Sequence, residues 1–253
     1  MLQLPRRVAR NNPLLRNAGR HEALVLLIIS IALLVLSGIA PHDRLTWWLE
    51  TLPIFTIVPI LIATGQVFPF TPLAYRLMFL HSLVLMVGGH YTYAHVPFGD
   101  WMEEWFGFGR NNFDRIGHFM QGCVPAIAAR EILLRRSPLF PGRWLFTLVT
   151  ATCLAISASY ELLEWAAAMT LGQAADAFLG TQGDPWDTQW DMLWALIGAL
   201  TSQLLFSRIH NQQINSLALT PHLLTEKYSY VSLRRLRRLL RRAGLNVYRL
   251  RLR

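Results

Sequence analysis

The sequence predicts an all-α fold, a polytopic membrane bundle of six transmembrane helices with both termini in the cytoplasm. Three observations predict it. Six apolar runs of membrane-crossing length alternate with short polar or Pro-containing segments, and the arginines gather in alternate connections. Hydrophobic residues make up 53% of the 253 and charged residues only 15%, where a soluble domain carries about 25% charged.

Ala23 to Ala40 is an uncharged run of 18 residues, preceded by Arg6, Arg7, Arg10, Arg16 and Arg20. A bilayer core takes about 20 apolar residues, so this reads as a first span whose start is held in the cytoplasm. A signal peptide is the alternative, because Gly38 and Ala40 could form a small-residue cleavage site; the length of the run and the spans behind it favour an anchor. A second span covers about 47–68, interrupted by Pro53 and Pro59, and a third about 77–93, ending in an aromatic stretch suited to the membrane interface. Residues 95–113 read as a loop holding Trp101, Trp105 and three acids. The fourth span covers about 114–134, the fifth 144–169 and the sixth 191–209.

The charges test that count. The N-terminus, the 69–76 turn, the 135–143 turn and the tail fall on one side of six crossings and hold most of the basic residues, whereas residues 169–191 carry four acids and no base. Short cytoplasmic loops are enriched in Arg and Lys, which sets the orientation. The chain thus divides into a basic cytoplasmic N-terminus (1–22), a six-helix transmembrane domain (23–209) and a basic cytoplasmic tail (210–253).

The net charge of +9 therefore belongs to the ends, not to a nucleic-acid surface, and no nucleic-acid partner is expected. In the tail, Leu233, Leu236, Leu239, Leu240 and Ala243 form one helical stripe flanked by six arginines, an amphipathic helix suited to anionic lipid head groups. A solvated tail is the plainer alternative. Cys123 and Cys153 sit inside apolar runs and read as small packing residues.

The polar residues within and between spans four to six carry the functional reading. Asp114 and His118, four apart, share a helix face beside Arg115; Ser157, Glu161 and Glu164 share a face of the fifth span. Glu164 lies about 8 Å from the end of its helix, within reach of the loop 179–192, Leu-Gly-Thr-Gln-Gly-Asp-Pro-Trp-Asp-Thr-Gln-Trp-Asp-Met. That loop brings Asp184, Asp187 and Asp191 into the sixth span, where Asp191, Ala195, Gly198 and Ser202 form a small-residue face. Antiparallel neighbours put all these groups at one external membrane level. Ionisable residues in a span cost about 2.5 to 3.5 kcal/mol each, so Glu161 and Glu164 should face the bundle or a wet cavity.

Asp114, His118, Glu161, Glu164, Asp184, Asp187 and Asp191 are therefore the candidate catalytic residues, with His118, Asp187 and Asp191 the candidate ligands of a divalent metal ion. One imidazole among carboxylates suits a hard cation with open positions, and crowded acids suit general acid and base work. Two alternatives stay open: Arg110 and Arg115 neutralise the acids and the set only locks three helices together, or the carboxylates relay ions. The relay is poorly served by the fifth span, which offers mainly Ser157, Thr152, Thr150 and Thr147 towards the other face. Arg130 and Glu131, about 18 Å from His118, read as a separate cytoplasmic-side ion pair. His81 reads as a hydrogen-bonded core histidine, and Tyr91, His90 and His95 as residues able to line the outer vestibule.

Four ordered motifs carry a family resemblance: Gly-Gly-His-Tyr-Thr-Tyr-Ala (88–94), Arg-Asn-Asn-Phe-Asp-Arg-Ile-Gly-His-Phe-Met-Gln-Gly (110–122), Tyr-Glu-Leu-Leu-Glu-Trp (160–165) and the 179–192 stretch. Over roughly residues 45–207 the chain resembles the YjdF family of bacterial inner-membrane proteins. More distantly, Asp114 and His118 in an Asp-x-x-x-His-Phe arrangement, a later Glu and an Asp-containing last helix start are similar to VanZ-like membrane proteins. The first resemblance implies a multi-pass inner-membrane location but no reaction, and the antibiotic resistance associated with the second is not carried over. The expectation is a site acting on a small-molecule, lipid-linked or other envelope substrate with metal assistance, the alternatives being a proton- or cation-coupled transporter and a non-catalytic scaffold.

Overall fold

A run of Pro-capped and Asp- or Thr-capped helices accounts for the fold, which a computed structural model describes for residues 13–217. No strand occurs among the described residues. The chain divides into two units, Met1–Gln213 and Ile214–Arg253. The expected basic amphipathic helix of the tail lies outside the described residues.

Helix α1 spans Pro13–Ser37, α2 Arg44–Thr64 and α3 Pro72–Tyr91. Asp43 caps α2 by accepting the Thr46 amide at 2.6 Å, and that N–H holds its carboxyl below the usual carboxylate range. Thr71 caps α3, with Pro72 supplying the first turn without an amide to satisfy. The third span thus begins earlier than expected, and Arg76 lies within α3, paired with Glu22 of α1 rather than in a turn. The segment read as a loop contains α4, Pro97–Phe106, which Gly107 ends in a left-handed turn.

Helix α5 spans Phe113–Arg136 and α6 Arg143–Leu171; after a short 3₁₀ turn and α7 (Asp176–Leu179), α8 spans Asp187–Leu217. The last helix therefore starts at Asp187, not Asp191, and runs on through the beginning of the polar stretch after Ile209. Helix α5 packs against both α3 and α6. Against α8 it is closer still: a Cβ on Gly122 would collide with the Ala195 carbonyl, and one on Gly198 with the Phe119 carbonyl. Ser202 Oγ then donates to the Cys123 carbonyl at 2.8 Å, so the small-residue face of α8 brings the two backbones together. Tyr93 is wedged against Gly88 of α3 and Gly117 of α5, and burial pushes its phenol well above the ordinary tyrosine range.

Burial is inverted relative to a water-soluble protein. Val35 (64%), Trp144 (76%) and Leu204 (70%) are exposed, while Glu131 (0%), His210 (0%) and Asp191 (2%) are enclosed. A chain surrounded by lipid has nowhere else to put charge. Among the described residues five helices are long and apolar enough to cross a membrane: α1 from Gly19, α2, α3, α6 and α8. The fourth expected span corresponds to α5, which has crossing length but carries Asp114, Arg115, His118, Arg130 and Glu131, the last four buried in the bundle.

Candidate functional site

The Phe113 end of α5 holds a polar centre assembled from four helices. Asp114 and His118 lie one turn apart, and His118 Nε2 stands 3.3 Å from Asp114 Oδ1 and 3.6 Å from Asp191 Oδ1 of α8. On the opposite edge of the imidazole, Nδ1 stands 3.1 Å from Gln121 Oε1 and 3.8 Å from Glu161 Oε1 of α6. His118 is thus the hinge between two carboxylate sets.

Arginines close one of these sets. Arg115 donates to Asp187 Oδ1 at 2.7 Å, to Asp184 Oδ2 at 3.4 Å and, more closely, to Asp191. Arg110 donates to the same Asp187 oxygen at 2.8 Å and to Asp184 at 3.3 Å. The sequence reading foresaw these two arginines as neutralisers, and that is what they do for the three aspartates of the 179–192 stretch. Asp187 is consequently engaged by both arginines. Two groups able to hold a metal ion are formed, Asp114 with His118 and Asp191, and His118 with Glu161 and Glu164, each with ligand atoms within 4.8 Å of one another.

The second group differs from the first in one member, Glu161, whose oxygens are buried and unpaired. Glu161 is buried, 7% exposed, and neither of its oxygens accepts a hydrogen bond; the Thr188 hydroxyl lies beside it without hydrogen-bond geometry. One turn along α6, Ser157 Oγ is also buried without a partner. His81 of α3 lies within electrostatic reach of His118, and its Nε2 has no partner either, against the expectation of a hydrogen-bonded core histidine. Buried polar atoms are nearly always paired, so these unpaired ones stand out among the described residues.

Sequence reasoning missed Glu50 of α2, 5% exposed, which receives the Tyr160 hydroxyl at 3.3 Å and lies within electrostatic reach of Asp114. It also missed the frame around the loop. Asn111 donates to Asp100 of α4 at 2.7 Å and to the Val96 carbonyl at 2.9 Å, and exchanges two hydrogen bonds with Gln182. His90 and His95 do not line the site: His90 Nδ1 meets the Ser37 carbonyl at 2.9 Å, and His95 packs against His42.

At the other end of α5 lies a second centre. Glu131 accepts from the Thr71 amide and hydroxyl, from Arg135 at 2.6 Å and from His210 Nε2 at 3.1 Å. Arg130 does not pair with Glu131 as expected; it donates to His210 Nδ1 at 3.1 Å and to Asn211 Oδ1 at 2.6 Å. Adjacent residues on a helix point in different directions, and His210 of α8 fills the angle between them.

Apolar side chains turned outward around carboxylate-rich interior centres define the class: a polytopic helical membrane protein with a buried polar site. The chain belongs to the predicted membrane protein family DUF2238, whose model matches residues 22–212. It is 50% identical over 207 residues to the inner membrane protein YjdF of Escherichia coli (strain K12), an alignment covering 82% of this chain and 96% of that relative. No solved structure matches it. The chain is a multi-pass protein of the inner membrane, and the four motifs quoted above all lie inside the matched range.

Proposed function

We propose that the His118 centre binds a divalent cation through His118, Glu161 and Glu164 and uses it on an envelope substrate at the outer face of the inner membrane. The observation that carries this is Glu161: a carboxylate enclosed in a membrane bundle, its oxygens accepting no hydrogen bond, 3.8 Å from an imidazole nitrogen. A buried charge left so would cost several kcal/mol, and a cation removes that cost. The donor set, two carboxylates and one imidazole with the Gln121 amide oxygen at 3.1 Å from it, suits Mg²⁺, Mn²⁺ or Zn²⁺ with open positions.

In this reading Nδ1 of His118 faces the cation while Nε2–H points to Asp114, the carboxylate–histidine–metal arrangement that fixes tautomer and ring angle. Asp114 is then a positioning residue. Arg115 and Arg110 hold Asp184, Asp187 and Asp191 as a rigid wall. The cation would polarise the scissile group, and a carboxylate outside the ligand set, Asp191 or Asp114, would take the proton.

The outward placement rests on six crossings with both ends cytoplasmic, α5 being counted with the five most apolar helices. The Glu22–Arg76 pair supports that count, since it levels the start of α1 with the start of α3. Arg135, Arg136 and Arg143 then share the cytoplasmic side with the basic N-terminus.

Mn²⁺ binding to detergent-purified protein, followed by electron paramagnetic resonance, tests the site. One tight ion per wild-type chain is expected, lost in His118→Ala and in Glu161→Gln. Protein that binds no Mn²⁺, Mg²⁺ or Zn²⁺, or variants that bind as well as wild type, would sink the proposal.

A second reading, ion movement, draws on buried polar groups beyond those expected on α6. Gln203 of α8 donates to Thr150 at 3.0 Å, and Ser202 and His210 are fully enclosed on the same helix. Cation flux into proteoliposomes separates the two readings, because a one-sided enzyme passes no ions.

A further inference from the structure

We infer that the substrate of this site is a membrane lipid whose phosphate headgroup enters sideways from the leaflet, past the α6 wall at Glu164. The inference rests on the cation reading above and adds the class of ligand and its route.

The wall itself is the first observation. Glu164 belongs to the ligand group of His118, yet it is only half-buried, and its neighbours Leu162 (63%), Leu163 (55%) and Trp165 (62%) are exposed towards lipid. Polar side chains inside a span normally face the bundle. A carboxylate standing at the border between the buried site and the lipid-facing surface is where an amphiphile could bring a polar head to the site and leave its tails outside.

Depth is the second. Three carboxylates of the site have an exposed tryptophan beside them in the chain: Trp165 next to Glu164, Trp186 next to Asp187, and Trp190 next to Asp191. Indoles collect where acyl chains meet headgroups, so these place the carboxylates at headgroup level. Helix α4 agrees. It leaves the Tyr91 end of α3 and returns to the Phe113 end of α5, so its ten residues cannot cross the membrane and must run along its surface. It exposes Phe98, Trp101, Trp105 and Phe106, as an interfacial helix does. Asn111 joins α4 through Asp100 to the 180–187 segment through Gln182, which makes the lipid-facing helix and the site one frame.

The third observation is a donor without an acceptor. Arg110 spends its two terminal nitrogens on Asp184, Asp187 and the Thr181 and Gly180 carbonyls, but its Nε–H is buried and unpaired. A phosphate oxygen accepts from guanidinium N–H groups and also ligates hard divalent cations. Free inorganic phosphate shares that chemistry, but it has no use for an apolar approach, so the wall favours the lipid.

Phosphorus coupling to bound Mn²⁺, measured by pulsed electron paramagnetic resonance, decides between the sources. The full chain is placed in nanodiscs of dioleoylphosphatidylglycerol, and the signal counted is the part above protein-free nanodiscs that disappears in His118→Ala. A ³¹P coupling in those nanodiscs is the expected result. The same protein in a phosphate-free, non-phosphorus detergent should bind Mn²⁺ with no ³¹P coupling, and 1 mM inorganic phosphate should not restore one. Mn²⁺ bound without ³¹P coupling in the nanodiscs, or coupling obtained from inorganic phosphate instead, would overturn the lipid inference while leaving the cation site standing. No site-bound Mn²⁺ in either setting would overturn both.

Discussion

At one end of α5, Glu131 accepts hydrogen bonds from Thr71, Arg135 and His210; at the other, Glu161 accepts none. Both carboxylates are buried, both lie close to a histidine, and about 20 Å of helix rise separates Glu131 from His118. Their surroundings differ in what is left over. Around Glu131 an arginine, a histidine and a threonine answer one acid, and Arg130 backs the histidine. Around Glu161 and Glu164 the two available arginines are already committed to the aspartates of the loop. A saturated centre locks helices together, whereas the unsaturated one is where the proposed cation would bind. Stability measurements and binding measurements should therefore come apart between the two ends.

The largest loss of stability is expected at the saturated end. Glu131→Gln turns an acceptor for four donor groups into one that also presents an N–H₂ to them, leaving Arg135 and the His210–Arg130 pair without their anion. Breaking a buried ionic network by removing one partner costs roughly 3 to 5 kcal/mol. An SDS unfolding titration of the purified protein should report that loss, with little protein recovered folded; a cost under 1 kcal/mol would mean the Glu131 centre is not a lock.

Gly122→Val sharpens the comparison from the middle of the helix. The added Cβ would enter the Ala195 carbonyl, so α5 and α8 must separate. Overpacking of this kind costs about 1 to 3 kcal/mol, and here it should also pull Asp191 away from Arg115. The expected pattern is a moderate stability loss with weakened Mn²⁺ binding. Unchanged binding would show that the His118 centre does not depend on the α5–α8 contact.

Much of this was legible in the residues, and the failures have physical causes. Spacings of three and four within one helix announced Asp114 with His118 and Glu161 with Glu164, because such pairs share a face whatever the tertiary structure does. Pairings across helices carried no such mark. Glu50 and Tyr160 are 110 residues apart, and nothing local to either indicates the other. His210 lay just past the expected end of the last span, so the Arg130–Glu131 pairing was read from adjacency alone. Helix α4 was hidden by its shortness and its three acids, although Phe98, Trp101 and Trp105 recur at three and four. The engagement of Asp187 turned on where Arg110 and Arg115 direct their nitrogens, which spacing cannot give.

A yardstick outside both centres is the Asp43 cap of α2. Asp43→Ala removes the acceptor of the Thr46 amide and should cost about 1 kcal/mol in the same titration. Because that contact depresses the carboxyl in the folded state, its contribution is present at neutral pH and above the unfolded-state value, and fades as pH falls through the lower, folded one. Wild type and variant should therefore converge in stability on acidification, and a gap that widens instead would assign the effect to something other than the cap.

The smallest stability effect is expected from Glu161→Gln, and it discriminates best. If Glu161 waits for a cation, an amide in its place relieves an uncompensated buried charge, and metal-free protein should be unchanged or slightly more stable than wild type. Added Mn²⁺ should then stabilise wild type and not the variant, since a ligand raises stability only where it binds the folded state. Run beside Glu131→Gln, the same chemical change at the two polar centres should give opposite signs in the absence of metal. A Glu161→Gln protein destabilised as strongly as Glu131→Gln would mean that both centres are locks, and the distinction between them would be lost.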